Sequence, residues 1–212
     1  MITDSIRWLG HSSFRIDGRN VIYFDPFRID EGRKADIILI SHKHYDHCSK
    51  EDVKKIYKNG TMIVCDRDSA KILGLDNMVI VKPFDRFTVN GVDIEAVPAY
   101  NTNKPNHPKE NEWLGFVVKT ERFTVYHAGD TDVIDEMKRI TCDVALLPIF
   151  PNDKYVMSPK EAAYATHIIK TKIAVPMHYG TLGGSLEDAE EFRRLSNPGI
   201  IIKIMVQEKN SF

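Results

Sequence analysis

The first half of the chain is written as short apolar runs cut by turn residues. Residues 6–9, 13–16 and 21–24 read as strands, and Asp17-Gly18 as a hairpin turn, because glycine accepts a positive φ without a Cβ clash. Residues 35–41 (ADIILIS) are almost wholly apolar, as in a strand buried on both faces, and run straight into a cluster of histidines. Helix signals follow: Ser49 and Asp52 make a capping pair, Val53, Ile56 and Tyr57 share one stripe, and Gly60 closes the segment. Residues 61–65 read as a strand and 66–73 as a short helix ended by Gly74, while Asn90-Gly91 is the strong turn signal of a hairpin over 87–97.

Strands at 114–119 and 123–127 lead into Gly129-Asp130-Thr131-Asp132 and an expected helix striped by Val133, Met137 and Ile140. A strand at 143–147 precedes a helix with Ser158 at its N-cap, Pro159 first, Glu161 third and a face of Ala162, Ala165, Ile168 and Ile169. A strand at 173–177 ends at His178, and Ser185 opens a helix expected to turn Leu186, Ala189, Phe192 and Leu195 inward. Residues 200–206 read as the last strand. Both halves carry strands followed by mixed strand and helix. Two sheets with helices outside them bury every apolar face, which predicts an α+β fold: a four-layer αββα sandwich forming a single domain over 1–212. Residues 99–112 (AYNTNKPNHPKENE) form a polar loop longer than an ordinary connection, and such loops are often functional.

Composition narrows the classes. With 212 residues, 42% hydrophobic and 28% charged, the chain is neither disordered nor fibrous. Lys plus Arg is 29 against 30 for Asp plus Glu, so the charge gives no reason to expect nucleic acid or an anionic membrane as partner. No apolar run reaches the roughly 20 residues of a membrane helix. The first residues lack a signal peptide's basic start and apolar core, and Cys48, Cys65 and Cys142 make no C-x-x-C pair. A cytoplasmic chain with reduced thiols is expected.

The most informative stretch is Ser41-His42-Lys43-His44-Tyr45-Asp46-His47. Three histidines and an aspartate within six positions, just after a buried strand, can converge on one point in a tight loop. Neutral imidazole and carboxylate suit zinc, and also iron or manganese. A chance H-x-H-x-D-H is rare because it fixes four uncommon residues. Cys48 reads as a small packing residue, His127 as a group beneath the site, and His167 as a structural residue of its helix.

His42-x-His44-x-Asp46-His47 resembles the signature of the metallo-β-lactamase superfamily. Gly10-His11-Ser12-Ser13 and Asp25-Pro26 upstream resemble the branch of L-ascorbate-6-phosphate lactonase and related uncharacterised metal-dependent hydrolases. Gly129-Asp130-Thr131 and Pro176-Met177-His178-Tyr179-Gly180 match the superfamily's aspartate and final histidine motifs. The resemblance covers essentially the whole chain. It implies the αββα sandwich and two divalent metal ions, zinc first, with manganese or iron as alternatives. His42 and His44 would bind the first metal. Asp46, His47 and His178 would bind the second, and Asp130 would bridge both. Many relatives carry a histidine at the start of the long loop, where this chain reads Pro98-Ala99-Tyr100-Asn101. His107, six residues later, is assigned as the third ligand of the first metal, with Asn101 or water as alternatives.

The implied reaction is hydrolysis by a metal-bound hydroxide on an ester, lactone or phosphodiester bond of a small metabolite, with Asp46 orienting the hydroxide and taking its proton. His11 is expected to contact the site or the substrate, and Tyr179 and His11 are candidates for protonating the leaving group. A di-iron redox protein and a non-catalytic metal-binding module are the competing readings. His44 stands where oxygen-reducing relatives usually have Glu, and no flavin domain is evident, which weighs against the first. The intact ligand set weighs against the second.

Overall fold

The computed structural model describes residues 2–152 and 154–208, so residues 1, 153 and 209–212 of the expected 1–212 domain lie outside the described residues. Two mixed β-sheets face each other. The six-stranded sheet runs in chain order: β1 (Ile6–Gly10), β2 (Ser13–Asp17), β3 (Val21–Phe24), β4 (Ile37–Leu39), β5 (Met62–Cys65) and β6 (Met78–Ile80). Its first three strands are antiparallel and the rest join in parallel. The seven-stranded sheet comprises β7 (Arg86–Val89), β8 (Val92–Pro98), β9 (Leu114–Lys119), β10 (Thr124–His127), β11 (Val144–Pro148), β12 (Ile173–Met177) and β13 (Ile201–Ile202). It too is antiparallel to β10 and parallel beyond.

Strand periodicity sends one set of side chains between the sheets and the other toward helices. Ile22, Phe24, Ile37 and Leu39 join Ile94, Phe116, Val118 and Val125 in the core between the sheets. The alternate residues Ile38, Ile40, Ile63 and Cys65 meet Val53, Ile56, Ala70 and Leu73 of α1 (Lys50–Ile56) and α2 (Arg67–Leu73). On the opposite side, α3 (Pro159–Ile168) and α4 (Leu186–Leu195) contribute Ala162, Ala165, Ala189 and Phe192 to the larger core. The four layers are thus the expected αββα sandwich.

The caps do what their residue types predict. Ser49, Asp66, Ser158 and Ser185 each accept from a backbone N–H of the first turn, and Gly74 ends α2 in the left-handed conformation. Cys48, Cys65 and Cys142 are buried free thiols.

Three local expectations need correction, and a fourth difference is a strand, β6, that the sequence pattern does not predict. The helix striped by Val133, Met137 and Ile140 is a 3-10 turn, Asp135–Arg139, whose N-cap position holds Ile134 and makes no side-chain cap bond. The last strand contains two residues rather than seven, because the chain leaves the second sheet and lies against the first: Glu208 N donates to Trp8 O at 2.8 Å. Leu186 and Leu195 at the ends of α4 are exposed, and only its middle, Ala189 and Phe192, is buried. β6 carries no alternation strong enough to predict it, with every residue half-buried or exposed.

The two sheets are tied together along one rim. His178 N donates to His11 O at 3.0 Å and Leu114 N to Ser41 O at 3.0 Å, joining the two sheets by backbone bonds. That rim lies at the carboxyl ends of β4, β8, β10 and β12, where open α/β sheets place their binding crevices.

Candidate metal centre

Five connections deliver the polar groups to this rim: the β1–β2 turn (His11), the loop after β4 (His42, His44, Asp46, His47), the β8–β9 loop (His107), the turn after β10 (Asp130) and the turn after β12 (His178). The ligand atoms of His42, His44 and His107 lie within 4.8 Å of one another. So do those of His11, Asp46, His47 and His178, and those of His42, His47 and Asp130. Asp130 stands between the first two sets. Its carboxylate is 3.3 Å from His47 Nε2, 3.3 Å from His178 Nε2 and 3.9 Å from His42 Nε2. All seven residues expected to bind metal therefore meet in one place, and His11 meets them.

The local backbone is shaped to permit this. His11, Asp25 and His178 all have positive φ, at 50°, 39° and 66°, a conformation that costs non-glycine residues energy and clusters at functional sites. Gly129, at φ 63°, precedes Asp130; a Cβ there would sit 2.5 Å from Leu114 O. Glycine is needed for both reasons.

Two imidazoles of the first set are steered by a neighbour outside it. His42 Nδ1 lies 2.9 Å from Ser41 Oγ, and His107 Nδ1 lies 3.3 Å from Asp130 O. His44 turns its Nδ1 toward the set, 3.3 Å from His107 Nε2. The Trp113 ring backs all three, with centroids 4.6–4.9 Å away. In the second set, His47 Nδ1 lies 2.7 Å from Asp25 Oδ2, while Asp25 also accepts from Ser41 N at 2.7 Å and Ser41 Oγ at 2.6 Å. A carboxylate behind a histidine fixes its tautomer and raises its basicity, the usual support for a metal ligand. His11 Nε2 is 2.9 Å from Asp46 Oδ2, and its carbonyl accepts from Trp8 Nε1 at 2.9 Å.

The donor set fits a divalent cation on its own evidence. His42 Nε2, His47 Nε2, His178 Nε2 and Asp130 Oδ1 are buried with no hydrogen-bond partner. Orphaned buried polar atoms are costly, and four of them aimed at one another suit a cation among them. Imidazole nitrogen with carboxylate oxygen is the donor chemistry of zinc and its neighbours.

Protonation follows from burial and charge. Burial lowers His11 and His107 to about 4 and holds His42 well below its ordinary value, so these rings are neutral at pH 7. Burial would lower His47 too, but Asp130 and Asp25 outweigh it and raise this ring well above its ordinary value. Burial would raise Asp46, yet the His11 hydrogen bond and the His47 charge bring it down to about 2. The sign of the linkage is then fixed. Metal-free His47 holds its proton at neutral pH, coordination requires the neutral ring, and binding must expel that proton. Cation uptake at pH 7 is expected to release on the order of one proton from this ring, and apparent affinity to fall as pH is lowered. Calorimetric titration in two buffers of different ionisation enthalpy measures this; equal heats in both buffers would contradict it.

The remaining expected residues are placed as follows. Asn101 braces the loop: its Nδ2 donates to Tyr155 O at 2.8 Å and its N–H to His107 O at 2.7 Å, while its Oδ1 is buried without a hydrogen-bond partner. The Tyr179 ring stacks on Trp8 at 5.0 Å, and its phenol is raised to about 12 by burial. His127 stacks on Phe24 at 4.9 Å with Nε2 2.8 Å from Ser12 O, beneath the site as expected. His167 is exposed on α3. Sequence reasoning missed the Asp25–His47 contact and the Trp113 wall. Asp25-Pro26 directly after a strand was the available signal for the first; nothing in the sequence marks the second.

The Beta-lactamase superfamily domain matches residues 5–178. The chain is 34% identical over 206 residues to a UPF0173 metal-dependent hydrolase of Thermococcus kodakarensis, covering 90% of this chain and 91% of that one. It is 34% identical over 225 residues to a UPF0173 metal-dependent hydrolase of Methanopyrus kandleri, covering 96% of each. A crystal structure from Parabacteroides distasonis, of a protein described as a metal-dependent hydrolase, superimposes with a TM-score of 0.83 at 34% identity, covering 94% of this chain and 91% of that one. The chain belongs to the metallo-β-lactamase superfamily and, within it, to the UPF0173 metal-dependent hydrolases.

Proposed function

We propose that this metal-dependent hydrolase cleaves an ester, lactone or phosphodiester bond of a small metabolite, using two divalent cations, zinc first. His42, His44 and His107 would hold one cation, Asp46, His47 and His178 the other, and Asp130 would serve both. The observation that carries this reading is the convergence of six buried or half-buried imidazoles and two carboxylates, with four ligand atoms left unpartnered.

Bound cations supply Lewis acidity and an acidified water at neutral pH. This chain's own residues do the rest. Half-buried Asp46, ionised because its carboxyl is held at about 2, orients the attacking water and accepts its proton. His11 fixes the Asp46 carboxylate through the 2.9 Å contact. Neutral His42 and His107 need no deprotonation before they bind. Tyr45, exposed between His44 and Asp46, and Tyr155, whose ring meets His44 at 5.7 Å, border the open side where a substrate enters. The near-neutral balance of charge favours a small metabolite over nucleic acid. Among the described residues no helix is long and apolar enough to cross a membrane, and we place the protein in the cytoplasm.

The test is turnover of the metal-stripped chain, reloaded separately with zinc, manganese or iron, on a nitrophenyl ester, a lactone and a bis-nitrophenyl phosphodiester. Restored cleavage of at least one, abolished again by chelator, is expected. A loaded chain that cleaves none of them would leave the non-catalytic reading standing, and oxygen consumption by the iron form alone would favour the redox one.

A further inference from the structure

We propose that Lys104 and Asp132 form a latch that sets how tightly the first cation is held, by fixing the loop that carries His107. This rests on the metal reading above and adds two positioning residues to it. His107 sits in mid-loop, far from both β8, which ends at Pro98, and β9, which begins at Leu114. A histidine so placed binds well only if the rest of the loop is already immobile.

Asp132 supplies that immobility. It is buried and lies two residues after Asp130, yet it belongs to none of the converging ligand groups. Its carboxylate is spent on the loop instead. One oxygen accepts from Thr102 N at 2.9 Å, and the other from Lys104 Nζ at 2.5 Å. Lys104 Nζ also donates to Val156 O at 2.6 Å, so one ammonium ties three segments together. The backbone continues the seam: Asp132 N donates to Tyr100 O at 3.0 Å, and Thr131 Oγ1 to the same carbonyl at 3.1 Å. Outside it, Lys109 Nζ and Tyr100 Oη meet Glu136 at 2.8 and 2.9 Å. Lys104 stands three residues before His107, with Pro105 between them and Pro108 after, so little slack remains from latch to ligand. The same short segment, 130–132, thus presents one carboxylate to the cations and a second to the loop that completes their coordination.

The experiment uses the full chain, metal-stripped, titrated with zinc against a competing chelator, for the parent, Lys104→Met, Lys104→Arg and Asp132→Asn. Partners that support metal ligands are typically worth about 10–100-fold in metal affinity. Lys104→Met should weaken the step assigned to the His42, His44 and His107 set by about that factor, leave the other step unchanged, and be largely rescued by Lys104→Arg. Amides of residues 100–107 should exchange faster in metal-free Lys104→Met than in the metal-free parent. If Lys104→Met fails to fold because it strands the Asp132 charge, the double variant Lys104→Met/Asp132→Asn removes both charges and should show the same selective loss. Unchanged affinity in the folded variants, or equal weakening of both steps, overturns the latch. A parent chain that binds no zinc overturns the metal reading itself, a separate outcome.

Discussion

Asp130→Asn is expected to weaken binding of both cations at least about 100-fold, since even outer partners of metal ligands are worth 10–100-fold and Asp130 touches both sets directly. Its carboxylate faces His42 of one set and His47 and His178 of the other at 3.3–3.9 Å. The substitution is nearly isosteric, which keeps the turn and its glycine intact. It also removes the main charge that raises His47, so the metal-free His47 ring should titrate at lower pH than in the parent. Metal content after dialysis and histidine NMR of the metal-free chain check both halves. Full occupancy by two cations in Asp130→Asn would refute the bridging role.

Asp46→Ala should reduce turnover at least about 10²-fold, the lower end of what a positioned general base contributes. The loss should exceed the loss of metal. The His42, His44 and His107 set does not include Asp46, and His47, His178 and Asp130 remain for the other cation. What disappears is the half-buried carboxylate that His11 and His47 keep ionised down to about pH 2. His167→Ala is the control, because that ring lies exposed on α3 away from the cluster and should leave turnover near the parent. Asp46→Ala retaining most of its turnover would remove Asp46 from the mechanism.

Local rules carried most of the architecture. Ser49, Asp66, Ser158 and Ser185 marked helix starts because their side chains replace lost backbone partners within three residues. Asn90-Gly91 marked its hairpin because both residues take the positive φ that the turn requires. The failures lie where distant contacts override local pattern. Residues 133–140 have a helical stripe, but Asp132 is already bonded to Tyr100 and Ile134 cannot cap, so a 3-10 turn forms. The last strand stops early because Gln207 and Glu208 bond to Leu9 and Trp8 of the other sheet, a partner no local rule can name.

The centre divides in the same way. His42, His44, Asp46 and His47 are close in sequence, and their spacing alone proposes a metal. Asp25 behind His47, His11 against Asp46 and Lys104 against Asp132 are separated by 22, 35 and 28 residues, and only folding brings each pair together. The long loop stood out by its length. Its conformation depends on bonds to the 130–132 and 154–156 segments, which the sequence does not reveal.

The central claim is that two cations sit between these loops, and anomalous diffraction from crystals grown with zinc tests it most directly. Two peaks are predicted. One should lie roughly 2.0–2.1 Å from the ring nitrogens of His42, His44 and His107, the other at that distance from those of His47 and His178, with Asp130 between them. Zinc peaks confined to other parts of the surface, with this cluster bare, would contradict the account.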